Sequence, residues 1–451
     1  MTLLDSLQVW TSFTANWAVT NESSLNACVD LFFIAWASRT MEETAIQKLF
    51  SLAYNENKNL AMKILFWARD VRWGAWERRF FRVCLDYLKE NHKEDISKIA
   101  QFVPEFGRWD DLFWIINNDS ALSLFTTAIK EWNWLASKWS PRKWDIAKLF
   151  TKALWLTPKQ YRKLIVSNTK VVETQMCNKE WDKIEYSKVP SCALNQYIKA
   201  WNRNDDTRFN QYLESVKKWD EKMNASVLFP YQVYENYKKW EKALVEAQWN
   251  NLAQYTWNGS ILPVIDVSWS MSWLPISVSV SLGVYLAEHI KWPFQDCFIS
   301  FEWRPKLHKL QGNILDRFLQ CERSADDMST NLVWVFELIL SVAFRDKLKQ
   351  EEMPEKIVII SDMEFNNCGN GTNYQSIKNF YEQCGYKVPY LIFWNVNGRE
   401  WNVPITNNDF GWMISGASPS IINGIMSGEL TSPYSLMMAT IGKERYSKIN
   451  L

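Results

Sequence analysis

The spacing of hydrophobic positions changes near residue 250. Before it, apolar residues recur at helical intervals in segments such as 25–39, 45–54, 77–91 and 145–154. Thr157 followed by Pro158 is typical of a helix start, because Thr caps the first turn and Pro fits its first position. We therefore predict an α-helical region of paired, HEAT-like helices for residues 1–250, although the sequence shows no fixed repeat period.

After residue 253, short apolar runs alternate with helical stretches. The runs 261–267, 297–301, 356–361 and 388–396 are rich in β-branched and aromatic residues, which is typical of buried parallel strands. The segments 276–290, 332–344 and 374–384 are long enough to be crossover helices. Residues 251–451 are therefore predicted to form a doubly wound, mostly parallel α/β domain, and the whole chain an α + α/β protein. Such sheets bind ligands beyond the carboxyl ends of their strands.

Composition narrows the class of protein. With 451 residues, 47% hydrophobic content and a net charge of +1, the chain is predicted to be globular. No apolar run approaches the length of a membrane span and no secretory signal is visible, so we expect no membrane association. The eight cysteines are scattered without a Cys-x-x-Cys pair. Reduced thiols and a cytoplasmic location are expected.

Charge is divided between the two regions. Residues 1–250 hold 35 Lys and Arg against 30 Asp and Glu, whereas residues 251–451 hold 16 against 20. One basic stretch contains a single acid, Asp145, and nine cations: Lys138, Arg142, Lys143, Lys148, Lys152, Lys159, Arg162, Lys163 and Lys170. This stretch is the candidate RNA-binding surface, without sequence-specific reading of DNA. The alternative is an ordinary solvated helix face.

Three loops carry oxygen ligands at predicted strand and helix ends. Asp266, Ser268 and Ser270 follow the strand 261–265 at alternate positions. Thr330 precedes the helix that begins at Leu332, and Asp362 follows the strand 356–361. These five hard oxygen donors suit Mg²⁺ or another divalent cation. The alternative is that both aspartates merely cap their loops.

This order of ligands resembles the metal-ion-dependent adhesion site (MIDAS) of the von Willebrand factor A domain. The resemblance implies that the metal leaves one coordination position for a partner's carboxylate, and therefore binding more than catalysis. A metal-dependent hydrolase is the less favoured interpretation, because Glu364 is the only nearby candidate for a general base.

Four stretches extend the resemblance over residues 15–430: Ala68 to Phe80, Val103 to Asp111, Lys188 to Ser191 and Ser361 to Phe365. They are similar to an uncharacterised family that joins a TROVE-like helical region, related to the Ro ribonucleoproteins, to a C-terminal von Willebrand A domain. The resemblance implies a non-enzymatic protein that binds RNA through its helices and an acidic protein group through its metal. A protein-binding scaffold without RNA is the alternative.

Arginines are concentrated in the first of these stretches. Arg69, Arg72, Arg78 and Arg79 could contact phosphate, or they could form ion pairs with the acids that accompany them. Asp70, Asp110 and Asp111 are the nearby acids, and Arg108 lies beside them. We favour structural ion pairs between neighbouring helices, because these interleaved acids neutralise the group.

The chain has 27 Trp and only 14 Gly. Ten tryptophans stand where the resembled family has Gly or where a similar replacement is suspected: Trp17, Trp36, Trp73, Trp76, Trp155, Trp219, Trp269, Trp273, Trp303 and Trp334. Trp109, Trp181 and Trp394 stand where an aromatic residue is expected. Our hypothesis is that many of these Trp are glycines of a gene that reads UGA as Gly. It predicts strained or displaced turns at Trp73, Trp76, Trp269 and Trp273. The alternative is a truly Trp-rich protein.

Overall fold

A computed structural model of the protein divides the chain into two compact units. It describes residues 11–225, 228–255, 260–291, 293–301, 304–324, 330–367, 372–398, 402–406, 409, 411–418 and 432–451. We call the first unit, residues 1–45 and 225–443, the sheet unit. The second, residues 46–224 and 444–451, is the helical unit.

The strands form a short hairpin and one larger sheet. They are β1 (Thr11–Phe13), β2 (Val19–Asn21), β3 (Ile261–Ile265), β4 (Cys297–Ser300), β5 (Lys306–Lys309), β6 (Lys356–Ser361), β7 (Tyr390–Asn395) and β8 (Gly411–Ser415). The sheet has the order β5-β4-β3-β6-β7-β8, and all of its strands are parallel except β5, which pairs antiparallel with β4. Strands β3, β4, β6 and β7 confirm the predicted runs, whereas β5 and β8 were not predicted.

Helices account for most of the remaining described chain. The first group is α1 (Ala27–Ile34), α2 (Glu43–Glu56), α3 (Lys58–Arg69), α4 (Arg79–Asn91), α5 (Lys93–Ile99), α6 (Val103–Phe106), α7 (Asp119–Lys130), α8 (Trp134–Trp139), α9 (Trp144–Ala153), α10 (Pro158–Asn168), α11 (Val172–Cys177), α12 (Ser191–Gln196), α13 (Ile198–Asn204) and α14 (Asp206–Lys217). The second group is α15 (Pro230–Lys238), α16 (Lys242–Asn250), α17 (Leu274–His289), α18 (Ile314–Arg323), α19 (Leu332–Asp346), α20 (Asn373–Gln383), α21 (Pro433–Ile441) and α22 (Glu444–Ser447). This α + α/β architecture is the predicted fold class. Within the described residues, none of these helices has both the length and the apolarity needed to cross a membrane.

The compact units do not follow the predicted division at residue 250. The hairpin β1–β2 and helix α1 belong to the sheet unit, and so do α15 and α16. Tyr234 of α15 packs edge-on against Phe318 of α18, and Trp249 of α16 donates a hydrogen bond to Glu288 of α17 (2.7 Å). Helical periodicity shows which side of a helix is apolar but not which element packs against it. The pattern therefore grouped α1, α15 and α16 with the other helices of residues 1–250.

Two arginines of the arginine-rich stretch, Arg69 and Arg78, form the ion pairs that were favoured from the sequence. Arg69, 3% exposed along its side chain, pairs with the fully buried Asp111 at 2.6 Å. Arg78 bonds both Asp110 (2.5 Å) and Asp111 (2.7 Å). Asp70 pairs instead with Arg445 at 2.5 Å, a contact that sequence reasoning missed because it joins the unit's two chain segments. These contacts hold helix ends together across the unit.

Tryptophan is the residue found most often at positive φ in the described chain. Twelve described residues other than Gly have positive φ, and seven of them are Trp: Trp17, Trp76, Trp132, Trp155, Trp219, Trp240 and Trp273. Four follow the ends of α7, α9, α14 and α15, where the backbone closes the 6→1 and 5→2 hydrogen bonds of a helix end that normally carries Gly. Trp155, for example, is 92% exposed and donates its backbone N–H to Lys152, while Leu156 donates to Thr151.

Strained backbone is confirmed at Trp76 (φ 61°) and Trp273 (φ 74°), whereas Trp73 and Trp269 do not adopt positive φ. Of the other suspected positions, Trp17, Trp155 and Trp219 have positive φ, whereas Trp36 is buried beneath the Arg39 guanidinium and Trp334 lies within α19. Trp303 lies outside the described residues.

The expected aromatic positions pack normally. Trp394 is fully buried and donates its indole N–H to Gly416 (2.7 Å), and Trp109 meets Phe125 edge-on. The described Trp therefore include aromatic core residues, such as Trp394, and exposed residues at turns that favour Gly, such as Trp155.

Candidate metal centre and basic surface

Asp266 lies directly after β3, at the carboxyl end of the sheet. It is fully buried, and its two carboxylate oxygens accept hydrogen bonds from the backbone N–H of Ser268 (2.9 Å) and the hydroxyl of Ser361 (2.7 Å). The hydroxyls of Ser268 and Ser270 lie 2.9 Å apart. The alternation seen in the sequence thus brings one carboxylate and two hydroxyls into a single loop.

Asp362 lies after the neighbouring strand β6, which pairs with β3 in parallel. Its side chain is 1% exposed, and its Oδ2 atom has no hydrogen-bond partner among the described residues. Burial and the adjacent charge of Asp266 raise the pKa of Asp362 to about 7, although the Ser270 side chain opposes this shift. Burial also raises the pKa of Asp266. The structure therefore buries two carboxylates side by side, which is unfavourable unless a positive charge joins them.

Thr330 is connected to this cluster through the turn that follows Asp362. Its hydroxyl donates a hydrogen bond to the Glu364 carbonyl (3.0 Å) and also contacts the side chain of Asn366 (3.2 Å). The backbone N–H of Glu364 in turn donates to Asp362 Oδ1 (3.3 Å). Thr330 therefore lies beside the loop that follows Asp362, immediately before the helix α19.

Glu364 does not have the environment of a general base. It is 2% exposed, and its carboxylate accepts hydrogen bonds from the backbone N–H of Ala15 (2.7 Å) and the side-chain amide of Asn402 (2.8 Å). Both oxygens therefore already have donors. Sequence reasoning could not assign this structural role, because both donors are remote in the chain.

The nine cations of the basic stretch lie between the end of α8 and the start of α11. All except Lys138 are exposed. Lys138 pairs with Glu173 (3.1 Å) and Lys148 with Asp145 (2.8 Å). The structure thus presents this stretch largely to solvent, a condition that RNA contact and simple solvation both meet.

A cavity of about 660 Å³ lies at one end of this stretch, within the helical unit. Lys138 and Lys170 line it together with two lysines outside the predicted set, Lys183 and Lys188. Three of these four lysines already pair with glutamates: Lys138 with Glu173, Lys183 with Glu180 and Lys188 with Glu185. The lining charge is therefore largely neutralised.

A second group with metal-ligand atoms lies in the helical unit, at His92, Glu94 and Asp95. Asp95 pairs with Lys58 (2.8 Å) and lies 3.6 Å from Lys98, and Tyr54 donates a further hydrogen bond to it. Because lysines already balance its carboxylate, this group lacks the uncompensated charge found at Asp266 and Asp362.

Family models match both parts of the chain. A domain of unknown function, DUF2828, matches residues 14–121 and 93–262, and a second one, DUF7788, matches residues 260–445. These matches place the chain among proteins that join the two domains, and it belongs to the DUF2828 family.

Two individual proteins are similar over most of the chain. The uncharacterized protein L728 of Acanthamoeba polyphaga mimivirus is 30% identical over 497 residues, covering 95% of this chain and 86% of the relative. The crystal structure of the Deinococcus radiodurans Ro (RSR) protein aligns with 91% of this chain and 93% of its own, at 12% identity and a TM-score of 0.39.

Proposed function

We propose that the protein is a non-enzymatic binding protein whose sheet unit holds a divalent cation, Mg²⁺ foremost, through Asp266, Ser268, Ser270, Thr330 and Asp362. The observation that carries this proposal is the pair of buried aspartates with one unpartnered oxygen, Asp362 Oδ2. Carboxylate and hydroxyl oxygens are the donors that Mg²⁺ prefers, so the residues present fit the ion.

The bound ion would supply a positive charge that attracts a carboxylate of a partner protein. The resemblance to the adhesion site of von Willebrand A domains supports this use. The engagement of both Glu364 oxygens favours binding over hydrolysis, because the nearest acid outside the proposed ligands is committed to structural hydrogen bonds.

Calorimetric titration of the full chain with MgCl₂ tests the cation site. We expect saturable binding by the wild type and none by Asp266→Ala. Asp346→Asn is the matched control, because Asp346 lies exposed at the far end of α19, the helix that Thr330 precedes. Equal binding by Asp266→Ala and the wild type would contradict the proposal, and so would a wild type that binds no Mg²⁺.

A second proposed function is RNA binding by the helical unit. Its support is the exposure of eight of the nine cations in the Lys138 to Lys170 stretch, together with the resemblance to the TROVE module. If these side chains contact phosphates, affinity for RNA falls steeply as salt is raised, because binding releases counterions. The protein-only scaffold is the competing outcome.

Filter binding of a single-stranded RNA over a salt series distinguishes RNA binding by the helical unit from the protein-only scaffold. The triple change Lys159→Ala, Arg162→Ala and Lys163→Ala on α10 should weaken binding and flatten the dependence of log affinity on log salt by about 2 units, at roughly 0.7 per phosphate contact. The matched control removes three exposed lysines elsewhere in the helical unit: Lys199, Lys218 and Lys222. If the wild type does not bind RNA at low salt, or if both triple variants lose the same RNA affinity, the RNA-binding proposal is contradicted. The protein-only scaffold would then be favoured.

A further inference from the structure

The hairpin β1–β2 packs its tip against the loop that follows Asp362. Thr14 donates its hydroxyl proton to the Phe365 carbonyl (2.7 Å), and Ala15 donates its backbone N–H to the Glu364 carboxylate (2.7 Å). The side-chain amide of Asn16 donates to the Glu364 carbonyl (2.6 Å). Three consecutive residues of the tip therefore hold a turn that lies about 350 positions later in the chain and begins at a proposed metal ligand.

Asn16 reaches a second proposed ligand as well. Its side-chain amide donates a hydrogen bond to the Thr330 hydroxyl oxygen (3.4 Å), and Thr330 in turn donates to the same Glu364 carbonyl at 3.0 Å. Asn16 and Thr330 thus share one acceptor. A hydroxyl oxygen has two lone pairs, so Thr330, which donates its proton to the Glu364 carbonyl and accepts one hydrogen bond from Asn16, keeps one lone pair for a cation. By bonding both the Glu364 carbonyl and the Thr330 oxygen, Asn16 determines the direction in which that remaining lone pair faces.

We infer that Asn16 is a positioning residue of the candidate metal centre, so that the N-terminal hairpin controls the affinity of a site formed by residues 266–362. This inference rests on the proposed cation site. Partners of metal ligands commonly change metal affinity by about 10- to 100-fold when removed, because they orient the ligand atoms. Asn16 contacts one ligand directly and shares an acceptor with it, so we expect an effect near the lower end of that range.

The hairpin offers a matched control at its other end. Asn21 donates its side-chain amide to the Val403 carbonyl (3.0 Å), and its backbone N–H donates to the same atom. Asn21→Ala therefore removes an equivalent hydrogen bond between the hairpin and the sheet unit without touching Thr330 or Glu364. Any loss of affinity caused by general loosening of the hairpin should appear in both variants.

The test is calorimetric titration of the full chain with MgCl₂, with thermal unfolding in EDTA as the second measurement. We expect Asn16→Ala to raise the dissociation constant for Mg²⁺ about 10-fold and Asn21→Ala to leave it within about 2-fold, with similar unfolding temperatures for the two variants in EDTA. Unchanged affinity in Asn16→Ala, or an equal loss in Asn21→Ala, overturns this inference alone. A wild type that binds no Mg²⁺ overturns the proposed cation site together with it.

Discussion

Each unit of the protein buries a cluster of charged side chains, and the two clusters are balanced differently. In the helical unit, Asp111 receives the guanidinium groups of Arg69 and Arg78, both within 2.7 Å. In the sheet unit, Asp266 and Asp362 are buried just as deeply, but they accept hydrogen bonds from hydroxyl and backbone N–H groups. No lysine or arginine of the described chain pairs with either of them.

The difference shows what the sheet unit lacks. A buried carboxylate is strongly destabilising unless a positive charge balances it, and the helical unit meets this requirement with its own side chains. The two carboxylates of the sheet unit instead repel each other when both are ionised, and burial together with this repulsion raises the pKa of Asp362. An external cation would give the sheet unit the balance that the helical unit obtains from arginine. Two sets of variants test this comparison, and a third tests the strained turns that occur in both units.

The largest effect is expected from Arg69→Ala in the helical unit. It leaves Asp111 buried beside only one guanidinium, and loss of one partner from a buried ion pair lowers the free energy of unfolding by about 3–5 kcal/mol. Urea unfolding of the full chain measures this loss, which should be the same in MgCl₂ and in EDTA. Arg142→Ala, at an exposed position, should change stability by less than about 0.5 kcal/mol. If Arg69→Ala lowers the free energy of unfolding only slightly, the two clusters do not differ in how their buried carboxylates are balanced.

An intermediate effect is expected from Asp362→Asn in the sheet unit. In EDTA the variant should be more stable than the wild type, because one of two neighbouring buried charges is gone. At a Mg²⁺ concentration 100 times the dissociation constant, the wild type should gain about 2.7 kcal/mol, and Asp362→Asn should not gain it. Urea unfolding with and without Mg²⁺ gives both values. A variant that is less stable than the wild type in EDTA would show that the two carboxylates are already balanced within the protein.

The sequence was sufficient for the parts of the fold and site that depend on local pattern. Four of the five buried strands of the sheet were predicted from apolar runs, and Asp266, Ser268 and Ser270 are recognisable because they leave a strand at alternate positions. Strand β5 could not be found in this way, because Lys306–Lys309 is mostly exposed at the sheet edge and has no apolar run. The sequence pattern also could not predict the pairing of Asp70 with Arg445 or the contact of Asn16 with Glu364. Both join residues more than 340 positions apart, which no spacing rule relates.

The smallest effects are expected at the left-handed tryptophans, which occur in both units. Holding a residue other than Gly in this conformation costs about 1–2 kcal/mol, and the greater freedom of Gly in the unfolded chain offsets part of the gain. Trp155→Gly and Trp273→Gly should therefore each raise the free energy of unfolding by about 1 kcal/mol. Trp134→Gly is the matched control, since Trp134 is also exposed but lies in α8 without positive φ; it should be slightly destabilising.

The variants Trp273→Gly and Trp155→Gly should differ in their affinity for Mg²⁺. Trp273 lies in the loop between Ser270 and α17, so relief of its strain should also strengthen Mg²⁺ binding, whereas Trp155 ends a helix of the other unit and should leave binding unchanged. If both changes stabilise the protein, mass spectrometry of tryptic peptides from the native source decides the origin of these residues. We expect Gly in place of Trp at position 273 in the peptides that span Ile261 to Arg304. Finding Trp there would show that the chain truly carries a strained tryptophan in its candidate metal loop.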